Sequence, residues 1–258
     1  MTANRPIHLC ITRRSSMNRT PQAVDPIGVI HSCFTEKFGI PRQPGLVTEA
    51  RATLELFPPF NDVNTIRGLE AFSHIWVIFL FHGSEPGKWR PLVRPPRLGG
   101  NTRVGVFASR SCFRPNPIGM SAVELESIST GKKGVALHLK GVDFLDQTPV
   151  IDIKPYIPYS DSITTAQDGY ASMPETEKLK VCFSEQAEQE AKKKEQDNHP
   201  GFRKLIREII GNDPRPGYYS ADRDDKTFGM TLYRHNVRWQ VSGDTALVLS
   251  ITPMQKKL

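Results

Sequence analysis

Several familiar catalytic signatures are missing from this chain of 258 residues. No GxGxxG turn opens a βαβ unit, no GxxxxGK[ST] loop is present, and HExxH, paired CxxC and GxSxG are all absent. The usual nucleotide-binding βαβ start, the P-loop, the helical zinc site and the hydrolase elbow are thereby excluded. A nucleotide-like cofactor would need another scaffold. Cysteine is scarce: Cys10, Cys33, Cys112 and Cys182 stand far apart, in no metal-ligand spacing. That predicts reduced, mostly buried thiols in a cytosolic protein. His74 and His82 share a run but lack a third ligand nearby, so no metal is expected. The longest apolar run, from Ile75 to Phe81, is far too short to cross a bilayer, and no membrane partner is expected.

Acidic residues are also missing where they would matter most. From Lys88 to Ile118 there are six arginines (Arg90, Arg94, Arg97, Arg103, Arg110 and Arg114), one lysine and no acid. That segment carries +7, equal to the formal charge of the whole chain. So concentrated a patch can hold a phosphate backbone; arginines balanced by acids elsewhere in space are the alternative. Residues 1–24 carry Arg5, Arg13, Arg14 and Arg19 and no acid. They read as a basic flexible tail, with an organelle-targeting signal as the other reading and Met17 as a second possible start.

An apolar fraction of 38% is enough for a real core, while 21 prolines and 19 glycines favour strands and shaped loops over long helices. Strands are predicted at residues 27–32, 52–56, 74–81, 104–108, 120–128, 135–140 and 150–153, with a hairpin turn between Gly131 and Gly134. With no helix between them, these seven fit an antiparallel β-barrel, because closure removes exposed edges. The expected organisation is mainly β: a barrel over residues 25–160, a linker over 161–178, and a smaller α+β domain over 179–258. In that last domain residues 184–196 read as an exposed helix. Phe202, Leu205, Ile206, Ile209 and Ile210 form one apolar stripe with Gly211 as its stop. Strand-like runs follow at 228–233, 237–241 and 246–251.

The densest chemistry lies after residues 104–108. Arg110 and Arg114 sit on a loop stiffened by Pro115 and Pro117, where a guanidinium can offer a fixed fork of donors to a carboxylate or phosphate; a rigid structural turn is the alternative. His82, followed by Gly83, is the better pocket candidate of the two histidines, and His74 reads equally as a buried, hydrogen-bonded one. Asp143 and Asp146 could accept hydrogen bonds from a ribose or balance the arginines, and Asp152 and Lys154 share a face and could pair. Arg215 with Tyr218 and Tyr219, and Arg234, His235, Arg238 and Trp239, suit base stacking with phosphate contact. Core packing explains Trp239 nearly as well.

Residues 41–46 (PRQPGL), 67–76 (RGLEAFSHIW), 94–100 (RPPRLGG) and 105–119 (GVFASRSCFRPNPIG) resemble the tRNA (adenine(37)-N6)-methyltransferase family, TrmO. Residues 152–156 (DIKPY), 213–216 (DPRP) and 236–239 (NVRW) resemble its bacterial long form. The resemblance implies a cytoplasmic, homodimeric enzyme that uses S-adenosylmethionine on a β-barrel. It would methylate N6 of threonylcarbamoyladenosine at position 37, in the anticodon arm of tRNA. By this likeness Pro44, Gly45, Leu46, His82, Gly83 and Arg110 line the cofactor pocket, closed by stretches beginning at Met120 and at Gly141, the latter taking in Val142 and Asp143. His82 or Asp143 would accept the N6 proton. Arg110 or Arg114 would bind the cofactor's carboxylate or that of the threonyl group. Arg94, Arg97, Arg103, Arg215 and Arg238 would hold RNA. Gln147 stands where the family usually has glycine, so a positive φ there would carry modest strain. A non-enzymatic RNA-binding barrel and a methyltransferase for a small anionic substrate are the competing classes.

Overall fold

The structure, a computed structural model, describes residues 23–83, 89–132, 134–172, 179–197, 199–215 and 226–254. Nearly all of the expected tail, the linker's end, Lys133 of the hairpin, Cys10, Tyr218 and Tyr219 lie outside them.

The N-terminal strands are β1 (Gly28–Ser32), β2 (Arg51–Leu56), β3 (His74–Leu80), β4 (Leu92–Val93), β5 (Val104–Gly105), β6 (Ile118–Gly131), β7 (Gly134–Lys140) and β8 (Thr148–Pro155). Six of them close a barrel in the order β1-β2-β7-β6-β3-β8, every pairing antiparallel. Strict alternation drives it. In β2 and β7 every second residue is buried, so Ala52, Leu54, Leu56, Val135, Leu137 and Leu139 fill the interior from two neighbouring strands. A register shift between β3 and β8 falls at Ile78 and Phe79, and such bulges re-aim side chains at a barrel's rim.

The seventh expected strand, residues 104–108, is corrected. Only Val104 and Gly105 are extended, pairing with Leu92 and Val93 in a ribbon outside the barrel. Residues Val106–Ala108 then turn as a 3-10 helix. Val106 donates its N–H to the Pro91 carbonyl (3.0 Å) and is buried, whereas Phe107 is 75% exposed. Without a second strand to pair with, the apolar run turns away.

A short helix, α1 (Pro158–Asp161), leads to the C-terminal unit: β9 (Lys180–Phe183), α2 (Glu185–Gln196), α3 (Phe202–Gly211), β10 (Phe228–Leu232), β11 (His235–Ser242) and β12 (Thr245–Pro253). Ser184 caps α2 by accepting from the Ala187 N–H. All five stripe residues of α3 are buried. Gly211 closes the last turn instead of stopping it, and Asn212 forms the C-cap. Its Nδ2 donates to the carbonyls of Leu46 and Glu208, which is why an asparagine ends this helix. Strand β9, absent from the sequence reading, pairs parallel with β12. Of the three cysteines described, only Cys33 is buried; Cys112 is half-buried and Cys182 exposed, a correction to the expected burial.

One apolar core runs through both units. The chain between β1 and β2 carries it across. Phe38 stacks on Trp239 at 5.8 Å, and Phe228 stacks on the same indole at 5.6 Å. Trp239 is therefore a core residue, not a surface for bases. Polar contacts finish the join. Glu208 accepts from Thr48 Oγ1 (2.7 Å) and the Glu49 N–H (3.0 Å), and Lys204 pairs with Glu49 at 2.8 Å. The Tyr233 N–H reaches the Cys33 carbonyl, and the Thr231 N–H reaches Glu36.

Because the indole sits between rings from two units, Trp239→Ala should destabilise the whole chain by about 3–5 kcal/mol. Urea denaturation should show one transition by fluorescence and by circular dichroism. Two separated transitions would show that the units do not share a core.

Candidate active site

A cavity of about 520 Å³ opens at one end of the barrel. Five stretches of chain build it. Lys37 to Gln43 come from the β1–β2 connection and Ile78 to Gly83 from the end of β3. The arginine loop supplies Ser109, Arg110, Cys112 and Arg114, and the start of β6 supplies Ile118 to Ser121. Asp143, Leu145 and Thr148 close it from the segment leading into β8. The floor is aromatic: Phe79 meets Phe81 and Phe144 edge to face, each at 5.1 Å. Gly119 makes room for that ring, since a Cβ there would stand 2.3 Å from Phe79 Cζ.

The arginine loop is held from several sides. Phe81 donates its N–H to the Pro117 carbonyl (2.8 Å) and Arg90 its own to Phe113 (3.0 Å). Arg114 Nη1 donates to the carbonyls of Ser109 (2.6 Å) and Val106 (3.2 Å), bracing the turn before Arg110. Arg110 itself bonds Gln43 Oε1 at 2.6 Å across the cavity. Among the described residues neither guanidinium is in an ion pair. Arg110 thus stands at the cavity as a cation fixed by a neutral partner, with its charge uncompensated by any salt bridge.

Asp143 is the buried counterpart. Its Oδ1 is sealed from solvent and has no hydrogen-bond partner among the described residues. Burial pushes its carboxyl up to about 6, against the opposing pull of the Ser121 hydroxyl and the Arg110 charge. His82 is held below the ordinary histidine value by burial, with the Lys37 charge adding to the effect and Asp146 opposing it. Thr148 Oγ1 lies 3.4 Å from His82 Nδ1 and gives its own proton to the Leu145 carbonyl at 2.6 Å. This long contact therefore calls for a proton on Nδ1, leaving Nε2 as the acceptor. The Cys33 thiol, pushed up to about 12 by burial, is inert.

Several expected site residues meet here: His82, Gly83, Arg110, Arg114, Met120 and Asp143 all line the cavity. Pro44, Gly45, Leu46, Gly141 and Val142 do not reach its wall. The exposed Gly45 donates its N–H to the Gly141 carbonyl at 2.8 Å, and Val142 is fully buried. Asp146 is engaged in structure, accepting from the Ser32 N–H at 2.9 Å. His74, at the far end of β3, is exposed and bonded to Ser73, which corrects its reading as a buried histidine. Asp152 and Lys154 pair at 2.8 Å, as their shared face predicts. Gln147 has φ 64°, the positive value expected at that position.

The arginines proposed for RNA divide. Arg94, Arg103 and Arg238 are exposed. Arg97 donates to the carbonyls of Ala171 and Ser172, tying the second half of the linker to the arginine-rich segment. Arg215 is clamped by Asp213 through Nε (2.7 Å) and Nη2 (3.0 Å). Lys37, Arg42 and Gln43 were missed as cavity residues. Gln43 and Arg42 lie inside a motif that marked the loop, but Lys37 precedes it and had no signal.

A family profile described as the tRNA-methyltransferase O N-terminal domain matches residues 29–162, and one described as the TrmO C-terminal domain matches residues 176–254. The tRNA (adenine(37)-N6)-methyltransferase of Escherichia coli is 46% identical over 229 residues, covering 89% of this chain and 97% of that protein. A Pseudomonas aeruginosa protein named provisionally as an S-adenosylmethionine-dependent methyltransferase, RcsF, is 47% identical, covering 84% of this chain and 91% of its own length. The crystal structure of TrmO from Pseudomonas aeruginosa superimposes with a TM-score of 0.75 at 39% identity, covering 90% of this chain and 99% of that one.

The raised Asp143 value has a measurable consequence. With its folded value above the ordinary 3.8, the folded chain holds this proton longer than the unfolded one. The stabilising contribution of the neutral acid is complete below about pH 4 and is lost as pH rises through about 6. Ionised and buried above that, the group costs about 3 kcal/mol. Asp143→Asn should therefore gain up to about 3 kcal/mol in denaturant melts near neutral pH and almost nothing at about pH 4. Equal gains at both would show that charge is not the cause.

Proposed function

The chain belongs to the tRNA-methyltransferase O family, and from that membership we infer that it methylates N6 of the adenine at position 37 of tRNA. The base it acts on is threonylcarbamoyladenosine, and S-adenosylmethionine is the methyl donor. The observation that carries the reading is the pairing of a sealed, unpartnered Asp143 Oδ1 with the unpaired Arg110 cation inside one cavity.

The cavity's residues fit the donor. Its volume of about 520 Å³ falls in the range of small-molecule and cofactor sites, roughly 300–1,000 Å³. A zwitterionic amino-acid group offers an ammonium for Asp143 and a carboxylate for Arg110, while Phe79 and Phe81 provide an apolar floor for an adenosine. S-adenosylmethionine, when bound, supplies a methyl already activated by its attachment to a sulfonium.

What the protein adds is position and charge. Arg110, held by Gln43, would fix the carboxylate; Arg114 keeps the turn beneath Arg110 in place through two carbonyls and acts by positioning. The apolar floor keeps water from the reacting atoms. Such alignment supplies several orders of magnitude without a covalent intermediate. As the N6–C bond forms, N6 loses its proton. His82, which lines the cavity, is neutral near physiological pH and has Nε2 as acceptor, is the group that would take it. Asp143 is the less suited acceptor, since in this reading it is taken up by the donor's ammonium. Arg94, Arg103 and Arg238 supply phosphate contacts around the anticodon arm. Phe107, 75% exposed three residues before Arg110, fits a surface covered by a second copy in a homodimer. Sedimentation showing a monomer at micromolar concentration would remove that part of the reading. A tRNA substrate and unpaired thiols suit a cytoplasmic enzyme.

Labelled methyl should pass from S-adenosylmethionine to tRNA carrying threonylcarbamoyladenosine and not to the same tRNA without that group. Transfer to neither, with the cofactor bound, would overturn the activity. Arg110→Ala should weaken cofactor binding by calorimetry about 10- to 100-fold, the worth of a charged hydrogen bond. With three phosphate contacts, raising salt from about 50 to 200 mM should weaken tRNA binding roughly 20-fold while leaving cofactor binding nearly unchanged.

A further inference from the structure

The cavity has two electrostatic poles, and only one of them is accounted for above. At the first, Arg110 and Asp143 both line the cavity with opposite charges, and the Arg110 charge acts on the Asp143 carboxyl. At the second, Lys37 lies against the end of β3. A Cβ built on Gly83 would stand 3.0 Å from Lys37 Cε and 3.8 Å from its Nζ, so the ammonium sits beside the residue that follows His82. His82 feels two opposite charges here, that of Asp146, which raises its value, and that of Lys37, which lowers it; of the two groups only Lys37 lines the cavity. Among the described residues the Lys37 ammonium has no ion pair and no hydrogen bond; only its backbone carbonyl is engaged, by the Ile40 N–H. The acids nearby in sequence or space are engaged: Glu36 accepts from the Thr231 N–H at 2.6 Å, and Asp146 from the Ser32 N–H at 2.9 Å and Gln147 Nε2 at 3.4 Å.

Two ligand groups must be matched to these poles. The amino-acid end of the methyl donor is a zwitterion, an ammonium and a carboxylate with no net charge. The threonylcarbamoyl group carries a carboxylate and no cation. A zwitterion is complemented by a pair of opposite charges, and a net anion by a lone cation. Exchanging them would set an ammonium against Lys37 and leave Asp143 facing a carboxylate, with like charges opposed in a partly desolvated cavity.

We propose that Lys37 is the specificity-determining residue that receives the carboxylate of the threonylcarbamoyl group. This rests on the functional reading above. The placement is built by the fold: Phe38, the next residue, stacks on Trp239, so the C-terminal unit sets the position from which Lys37 reaches the cavity. The absence of a side chain at Gly83 leaves room for the lysine stem. Recognition would then come from a charged contact at the second pole, independent of how tightly the donor is held at the first.

The test uses the full-length protein as wild type, Lys37→Met and Lys37→Arg. Two tRNAs are compared, one with threonylcarbamoyladenosine and one with its carboxylate converted to the neutral amide. In Lys37→Met, kcat/KM for the natural tRNA should fall about 10- to 100-fold, and binding of that tRNA without cofactor should weaken in parallel. S-adenosylmethionine affinity by calorimetry should stay within about twofold, which also shows that the variant is folded, and Lys37→Arg should recover most of the loss. Wild type should disfavour the amide by a similar factor, whereas Lys37→Met should treat the two tRNAs alike, the signature of a direct pair. A parallel loss of cofactor affinity, or an amide penalty that survives in Lys37→Met, would overturn the proposal. Wild type that methylates neither tRNA would overturn the functional reading itself and this assignment with it.

Discussion

The connection between β1 and β2 leaves the barrel, packs its rings into a different unit, and returns as one wall of the cavity. Phe38 against Trp239, Thr48 and Glu49 against Glu208, and Asn212 against the Leu46 carbonyl are all contacts between this connection and the C-terminal unit. Lys37, just before the first of those anchors, and Arg42 and Gln43, between them, face the cavity. A loop of this length would sample many conformations if left alone, and each residue fixed costs on the order of 1–2 kcal/mol. Burying Phe34 and Phe38 in the shared core offsets that cost. The C-terminal unit therefore serves the site without lining much of it, and its α3 stripe is as much a part of cavity geometry as the strands are.

The same anchoring explains how charges of both signs persist where water is scarce. An isolated carboxylate oxygen with no hydrogen bond is expensive to seal. Asp143 is tolerated because the Ser121 hydroxyl and, more weakly, the Arg110 charge pull its carboxyl back toward ionisation, though not far enough to undo burial. Arg110 in turn is steered by Gln43 from the anchored connection and by a turn that Arg114 holds. Each of these groups would relax into a simpler arrangement if its neighbour moved. Stability is given up at this end of the barrel in exchange for donors and acceptors that wait for a ligand.

Where sequence periodicity met a simple physical rule, it was read correctly. The alternation in residues 52–56 and 135–140 could only be a half-buried strand, and the spacing of Phe202 to Ile210 only a helix with one buried face. Residues 104–108 look just as alternating, yet Gly105 and the want of a second pairing partner turn them into a ribbon end and a 3-10 helix. Pairing is a tertiary fact that alternation cannot supply. Trp239 was ambiguous for a related reason: Arg234 and Arg238 just before it suggested a surface, but adjacent strand residues face opposite ways, so Arg238 is exposed and Trp239 sealed. Gln147 was legible, because a position that usually holds glycine implies a positive φ. Lys37 was not, since a lysine in a loop gains meaning only when Gly83, distant in sequence, comes to lie against it.

The arginine-rich segment shows how far formal charge overstates an electrostatic surface. Arg97 and Arg114 turn nitrogens inward to backbone carbonyls, and Arg215 outside the segment is neutralised by Asp213. Arg90 lies over the Phe113 ring at 4.6 Å, where the ring face holds the guanidinium against the loop. In these places arginine is chosen for its several fixed donors and its flat, stackable face, both of which build a turn that lysine could not. The charge comes along with those donors and is still felt at longer range, so a polyanion is drawn to the same end of the molecule that the loop shapes. Structure and charge here are two consequences of one residue type, which is why a segment with no acid can be a rigid wall and a cationic face at once.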